Sequence, residues 1–207
     1  MALGAILSKI DGTELEYEIN TSKKENEGLP KEYSYMYNLP KVINQEIYPI
    51  CVPCSISSWL NWKLNITNGK NTFDNKIKVF DIFDNGGGTE NGMTCKDAFK
   101  YLINTGVKYK DGITKISKYY KVSTLIALKH AIVANGPCVA ILPVYNLNTN
   151  FWEESSNFLG YHAISIVGYD ENGFIIRNSW GSSYGENGYS YITNKDMNKS
   201  VEIWTLC

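Results

Sequence analysis

YHAISIVGYDENGFIIRNSWGSSYGENGY, residues 161–189, is the stretch whose reading decides the fold. Its histidine heads the alternating apolar run Ala163-Ile164-Ser165-Ile166-Val167, the pattern of a β-strand. Asp170-Glu171-Asn172-Gly173 carries turn chemistry and Phe174-Ile175-Ile176 starts a returning strand, so the block predicts a β-hairpin. Register then decides whether His162 and Asn178 meet. A two-residue turn sets Asn178 opposite Ser165 and points the two side chains to opposite faces. A three-residue loop, with a left-handed bulge at Gly173, sets Asn178 opposite Ile164. His162 and Asn178 then become diagonal neighbours on one face, about 7–8 Å apart along the backbone and within side-chain reach. The bulged hairpin is the expected one.

The order His-Ala, Val-Gly-Tyr, Asn-Ser-Trp-Gly and Gly-Glu-Asn-Gly-Tyr resembles the papain-like cysteine peptidases, the C1 family, nearest to members without a long pro-domain. The resemblance implies His162 as catalytic base, Asn178 as the residue that orients it, and Trp180 lying over their contact. It departs at Tyr184, where the family usually has a second tryptophan.

Composition narrows the classes. The 207 residues carry a net charge of −1 with acids and bases interspersed, which gives no electrostatic case for nucleic acid or an anionic membrane. No apolar run approaches the roughly 18 residues of a spanning helix. The start, Met-Ala-Leu-Gly-Ala-Ile-Leu, lacks the pattern of a secretory signal. Five scattered cysteines, an odd number, predict free thiols in a reducing, intracellular compartment. The secreted relatives place a bridged cysteine three residues before the nucleophile; with Cys51 as nucleophile that place is Tyr48.

Along the chain, residues 1–28 read as an N-terminal extension, an exposed edge strand over Glu14–Ile19 followed by a polar linker. A regulatory strap over the cleft is the alternative. Residues 29–207 read as the peptidase domain. Cys54, Ile56, Trp59, Leu60 and Leu64 recur at helical spacing from Cys51 to about Thr67, with Pro53 tolerated in the first turn and Asn68-Gly69 as the stop. Helices also follow over Thr94–Thr105 and Ser123–Ala134, and strands over Val139–Ile141, Gly188–Thr193 and Val201–Leu206. The fold class is therefore α+β. The resemblance turns this into a helical lobe at about 45–137, an antiparallel barrel-like lobe at about 138–207, and a site in the cleft between them.

The resemblance also completes a candidate site. Cys51 would attack a peptide carbonyl, with its own N–H and the Gln45 side chain, six residues upstream, stabilising the oxyanion. Aligning Cys54 instead would put Tyr48 at the glutamine's place, so Cys51 is the expected nucleophile and Cys54 a small buried hydrophobe. Glu46 stands where glycine usually follows the glutamine. A thiolate–imidazolium resting pair is expected from the helix N-terminus and His162. Gly87 and Gly88 would pair with substrate backbone, and Ala140, Ala163 and Trp180 would line the peptide site. The implied partner is a peptide or protein, with no cofactor and no metal.

Other chemistries fit less well. Cys51-Val-Pro-Cys54 has redox spacing but lacks a preceding strand and a βαβ setting. A single C-x₂-C pair without paired histidines is a poor zinc site. Other Cys-His acyl-transfer folds complete their sites in a different context from Asn-Ser-Trp-Gly. The remaining rival is an inactive domain of the same fold used as a binding module.

Overall fold

A computed structural model describes residues 3–18, 28–69 and 76–207. Ile19 and the polar run to residue 27 lie outside the described residues, so the expected linker is not described.

In chain order the elements are β1 (Ala5–Ile6), β2 (Tyr33–Ser34), α1 (Cys51–Asn68), α2 (Val79–Asn85), β3 (Met93–Thr94) and α3 (Cys95–Asn104). There follow β4 (Val107–Tyr109), β5 (Gly112–Thr114), β6 (Tyr119–Lys121), α4 (Leu125–Asn135) and β7 (Cys138–Val144). The last are β8 (Gly160–Tyr169), β9 (Gly173–Arg177), β10 (Tyr189–Thr193), α5 (Asn194–Met197) and β11 (Glu202–Leu206). One antiparallel sheet runs β10-β9-β8-β7-β11-β6, with β2 added to the far end of β8. The architecture is the two-lobed α+β arrangement expected.

The helix signals work as local chemistry says they should. Thr94 and Thr124 cap α3 and α4, each accepting the backbone N–H three residues on, from Asp97 and Ala127. Gly69 ends α1 in the left-handed region (φ 61°), where glycine has no Cβ to clash. Cys54, Ile56, Trp59, Leu60 and Leu64 are all buried, so the face read from spacing is the packed one.

The hairpin reaches its expected register by another route. Tyr169 pairs with Phe174 across the turn, the alignment of a two-residue connection, and Gly173 has no positive φ. The register then shifts between Ile166 and Gly168, so that Ser165 faces Arg177. One residue further, Asn178 comes across from Ile164. The bulge therefore sits in the strand at Val167, whose carbonyl accepts the N–H of Tyr35 at 2.8 Å. That partner is more than a hundred residues away, which is why the turn residues alone could not locate the bulge.

The lobe boundary also moves. Helix α4 packs on β7, β8 and β11, placing Ala127, Leu128, Ala131 and Ile132 in one cluster with Cys138, Ile164 and Ile166. Strand β6 joins the sheet edge beside β11. Both belong with the β lobe, although sequence order put them in the helical one. The helical lobe keeps α1, α2 and α3, packed around Trp59, Leu60, Phe99 and Leu102.

Candidate active site

Strand β8 carries His162 two residues inside its start, and Asn178 follows the last residue of β9. Their side chains meet: His162 Nε2 lies 2.7 Å from Asn178 Oδ1. The same oxygen accepts the backbone N–H of Ser179 at 2.7 Å. Two groups directed at Oδ1 fix the amide with its carbonyl toward the ring, so Nε2 must carry the hydrogen. In the neutral ring the lone pair then sits on Nδ1, which is buried and has no hydrogen-bond partner among the described residues. This is the tautomer a base needs when its reactive nitrogen is Nδ1.

Aromatic rings seal this pair. Trp180 stacks on His162 with centroids 4.6 Å apart and planes 27° from parallel. Tyr184 meets Trp180 edge-on at 5.2 Å, and its hydroxyl donates to Thr149 O at 2.7 Å. The tyrosine in place of a second tryptophan thus keeps the ring contact and adds an anchor to the 145–159 loop. Phe151 closes the other side, 5.6 Å from His162 and 5.2 Å from Trp180. Sequence reading missed Phe151, because it lies in an irregular Asn-rich segment without periodicity.

Cys51 is the first residue of α1, and Ile50 before it supplies no side-chain cap. The unpaired N–H groups of that helix end favour negative charge on the sulfur. Helix α1 packs on β8, and Cys51 shares a buried cluster with Ala163, the residue after His162. Cys54 sits one turn on, with Ile50 and Val79, in an apolar pocket where burial raises its thiol strongly.

Gln45 is fully buried and tied to the Asn178 loop. Its N–H donates to Ser179 O at 2.8 Å, its Oε1 accepts the Ser179 hydroxyl, and its Nε2 donates to Tyr48 O at 3.0 Å. Ser179 therefore links the glutamine on one lobe to the histidine–asparagine pair on the other. It stood inside Asn-Ser-Trp-Gly but was given no role there. Glu46 has φ 53°, the left-handed region that costs a side chain roughly 1–2 kcal/mol and gives glycine its advantage.

Two expectations about the peptide site are corrected. Gly88 donates its N–H to Phe83 O at 2.9 Å, and a Cβ there would strike the Phe83 ring, so the Gly87–Gly88 turn is spent on its own helix end. Backbone pairing occurs five residues later, at Met93–Thr94. Gly92 (φ 114°) gives the close approach, since a Cβ there would run into the backbone of Gly4. The signal was Gly92 directly before Met-Thr, a turn glycine entering an extended pair. Ala140 is fully buried between its sheet neighbours Ile164 and Ile203 and packs in the core, not on a cleft wall.

Residues 3–6 complete the surroundings of Cys51. Ala5 and Ile6 pair in parallel with Met93 and Thr94, and Met93 N–H donates to Gly4 O at 3.0 Å. Gly4 lies so close to Pro49 that a Cβ would meet its backbone. Cys51 and His162 are both fully buried. Burial pushes the Cys51 thiol up to about 11, opposed by the backbone N–H groups of Ala163 and Gly4 that face the sulfur. Burial also pushes His162 down to about 4, with the Asn178 contact opposing it. Burial thus pushes both groups toward their neutral forms, against the helix N-terminus, which favours the thiolate.

Among the described residues no group of three or more His, Cys, Asp or Glu is placed to hold a metal, and no helix is long and apolar enough to cross a membrane. All five cysteines are free thiols.

A cysteine at a helix start, facing a strand that carries an asparagine-held histidine, defines a class of fold and site that the comparisons then name. Residues 17–205 match the model of the papain family cysteine proteases, and the chain belongs to that family. Cathepsin B-like CP1 of Giardia intestinalis is 36% identical over 91 residues, 38% of this chain and 30% of that protein. Papain of Carica papaya is 31% identical over 88 residues, 40% of this chain and 24% of papain. These matches span about a third or less of the relatives' own length. Xylellain, a cysteine protease from Xylella fastidiosa, shares the fold with a TM-score of 0.80 at 21% identity, over 99% of this chain and 95% of that one.

Proposed function

We propose that the chain is a cysteine endopeptidase that cleaves peptide or protein substrates through a thioester on Cys51. The observation that carries this reading is the tautomer: Asn178 Oδ1 claims the Nε2 hydrogen and leaves a buried, unpartnered Nδ1 on the strand that α1 packs against. Nδ1 takes the Cys51 proton as sulfur attacks the carbonyl, and gives it to the leaving amine as the tetrahedral adduct collapses. Water, deprotonated by the same nitrogen, then attacks the thioester and releases acid and free thiol. The Cys51 N–H and Gln45 Nε2 hold the oxyanion in both steps; one such donor lowers the barrier by roughly 2.7–4 kcal/mol. In this reading the Tyr48 carbonyl and Ser179 hydroxyl keep the Gln45 amide turned the right way.

Residues 29–207 form the peptidase domain in this reading, and residues 1–28 an extension to it. Five free thiols suit a reducing, intracellular compartment, phage- or virus-encoded sources included. Reductant should then leave the melting temperature unchanged; a drop of several degrees would reveal a stabilising bridge.

The test is a peptidyl-epoxide probe with mass-spectrometric mapping, alongside turnover of a peptide library. Label on Cys51, with turnover lost in Cys51→Ala and kept in Cys54→Ala, is the expected result. A chain that binds peptides but forms no Cys51 adduct would be an inactive binding module, and label on Cys54 would name the other thiol.

A further inference from the structure

The apolar run Ala163–Val167 on the strand of His162 carries one hydroxyl, Ser165, and that hydroxyl is turned toward the nucleophile's helix. Side chains alternate along a strand, so Ala163 and Ser165 share the face of β8 on which α1 packs. Ala163 meets Cys51 there in one buried cluster, and its N–H faces the sulfur. Two residues on, Ser165 Oγ lies 2.8 Å from Ser55 O and 2.8 Å from Ser58 Oγ, both on α1. Two strand residues cover about 6.4–6.8 Å and one helical turn about 5.4 Å, so both contacts belong to one register of helix on strand.

The hydrogens can be assigned. Ser165 has a single hydroxyl hydrogen and a carbonyl can only accept, so Ser165 donates to Ser55 O. The Ser58 hydroxyl then donates to Ser165 Oγ. Within the helix, the Ser55 hydroxyl donates to Cys51 O at 2.9 Å. The three serines are at most 4% exposed, so a hydroxyl that loses its partner here is left buried and unsatisfied.

Apolar shape alone does not fix this seam. A small polar cavity borders the three serines, closed on its far side by Arg177, Asn178 and Ser179. Side chains beside a cavity lack partner atoms on that side, which leaves the helix room to shift. The titratable and charged groups that face the cavity are Cys54 of α1 and Arg177 of β9. Burial pushes the Cys54 thiol up, and the Arg177 guanidinium is spent on Pro40 O, Lys41 O and the Tyr189 hydroxyl. The directional link from helix to strand is the serine clamp.

We propose that Ser165 is a positioning residue for the Cys51–His162 pair. With Ser58 and the Ser55 carbonyl it sets where α1 sits on β8, and therefore where the sulfur stands relative to the imidazole. The proposal rests on the peptidase reading of that pair. Misplacing reacting groups by about 1 Å costs on the order of a hundredfold in rate, so a small slip of the helix is enough to be read.

The experiment compares full-length wild type, Ser165→Ala, Ser58→Ala and Ser57→Ala. Peptide turnover gives kcat and KM. An NMR titration of the His162 ring, one of two histidines in the chain, gives a midpoint that needs no turnover. Ser165→Ala should lower kcat about tenfold and leave KM within about twofold, because a buried serine touches no substrate. Its His162 midpoint should rise from about 4 toward the ordinary 6.5 as water enters the seam. Ser58→Ala keeps the bond to Ser55 O and should fall between; it carries the test if Ser165→Ala does not fold. Ser57 donates to Cys54 O at 2.6 Å inside the helix, so Ser57→Ala should lower the melting temperature and leave kcat and midpoint unchanged. A folded Ser165→Ala that melts earlier but keeps both readings overturns the proposal, as does an unmoved Ser58→Ala where Ser165→Ala cannot be made. Ser57→Ala moving both readings as far would overturn it too, since any loss in α1 would then suffice. A shifted midpoint with no turnover in any form, wild type included, would keep the clamp and sink the peptidase reading.

Discussion

Two regions close over Cys51, and they are built on opposite principles. The β8–β9 side is over-determined: His162 is fixed by Asn178, the asparagine by Ser179, the ring by Trp180 and Phe151, and Trp180 by Tyr184. Each of these groups is buried, and His162 itself lies on a strand of a continuous seven-stranded sheet. The N-terminal side is two ladder residues and a set of charged clamps at the surface of α3. Preorganisation and reversibility ask for different materials. A site that must hold a proton at one nitrogen needs rotamers locked by packing, whereas a two-residue ladder with surface ion pairs is of the kind that opens locally at low cost.

The contrast can be broken most forcefully at His162. His162→Ala removes base and acid together and should cost about four orders of magnitude in kcat/KM or more, with the fold retained. Peptide turnover, compared with and without the substitution, measures it. Equal rates would mean that the rigid side does no chemistry.

Acid stability tests whether the thin side really dries the rigid one. An unfolded chain protonates this histidine at its ordinary value of 6.5, the folded one only at about 4. Between those values the unfolded state holds the extra proton, so stability is fully present above 6.5 and is lost as pH falls toward 4. The difference amounts to roughly 3 kcal/mol. Urea titrations at pH 7 and pH 4 should show that loss in wild type. In Gly4→Leu the loss should shrink, because water again reaches the ring; an unchanged loss would mean the segment contributes nothing to the burial.

What could be read from the chain divides along the same line. The rigid side is built from sequence-local pieces: a period-two strand, turn residues and Asn-Ser-Trp-Gly put His162 and Asn178 together before any coordinates. The register was right although the bulge was misplaced, since Val167 is held by Tyr35 from a distant strand. Phe151 and the Met93–Gly4 pairing were not legible for the same reason. They are long-range contacts made by irregular or two-residue segments, too short for any period to show. The Gly87–Gly88 assignment rested on where a glycine pair falls in the resembling family and not on local chemistry, and the Gly88–Phe83 bond shows what that turn does at the end of α2. Thr94, Thr124 and Gly69 were found because capping is local.

A smaller effect is expected where the rigid side steers its own base. Asn178→Ala frees the His162 ring to rotate or change tautomer without removing it. Activity should fall ten- to a hundredfold, about 1.4–2.7 kcal/mol, with a shifted pH profile for kcat. The profile matters because loss of packing alone would lower the rate without moving it. Asn178→Asp should restore the ring contact and raise the histidine's pKa through the added negative charge.

The smallest effect concerns the loop that delivers Gln45. Glu46 holds φ 53° beside a glutamine locked to Ser179 and Tyr48, and its side chain is exposed. Its N–H bonds to Asn44 Oδ1 at 3.1 Å through backbone alone, so a glycine would keep that bond. Glycine removes a left-handed strain of roughly 1–2 kcal/mol but gives the unfolded chain more freedom, which takes back about 0.4–1 kcal/mol. Glu46→Gly should therefore raise stability by about 0–1.6 kcal/mol, a few degrees in melting temperature at most, and leave kcat unchanged. Because the strain lies on the rigid side, the rate of Cys51 modification should not change either. A clear fall in kcat would show instead that the left-handed turn at Glu46 sets the angle at which Gln45 meets the oxyanion.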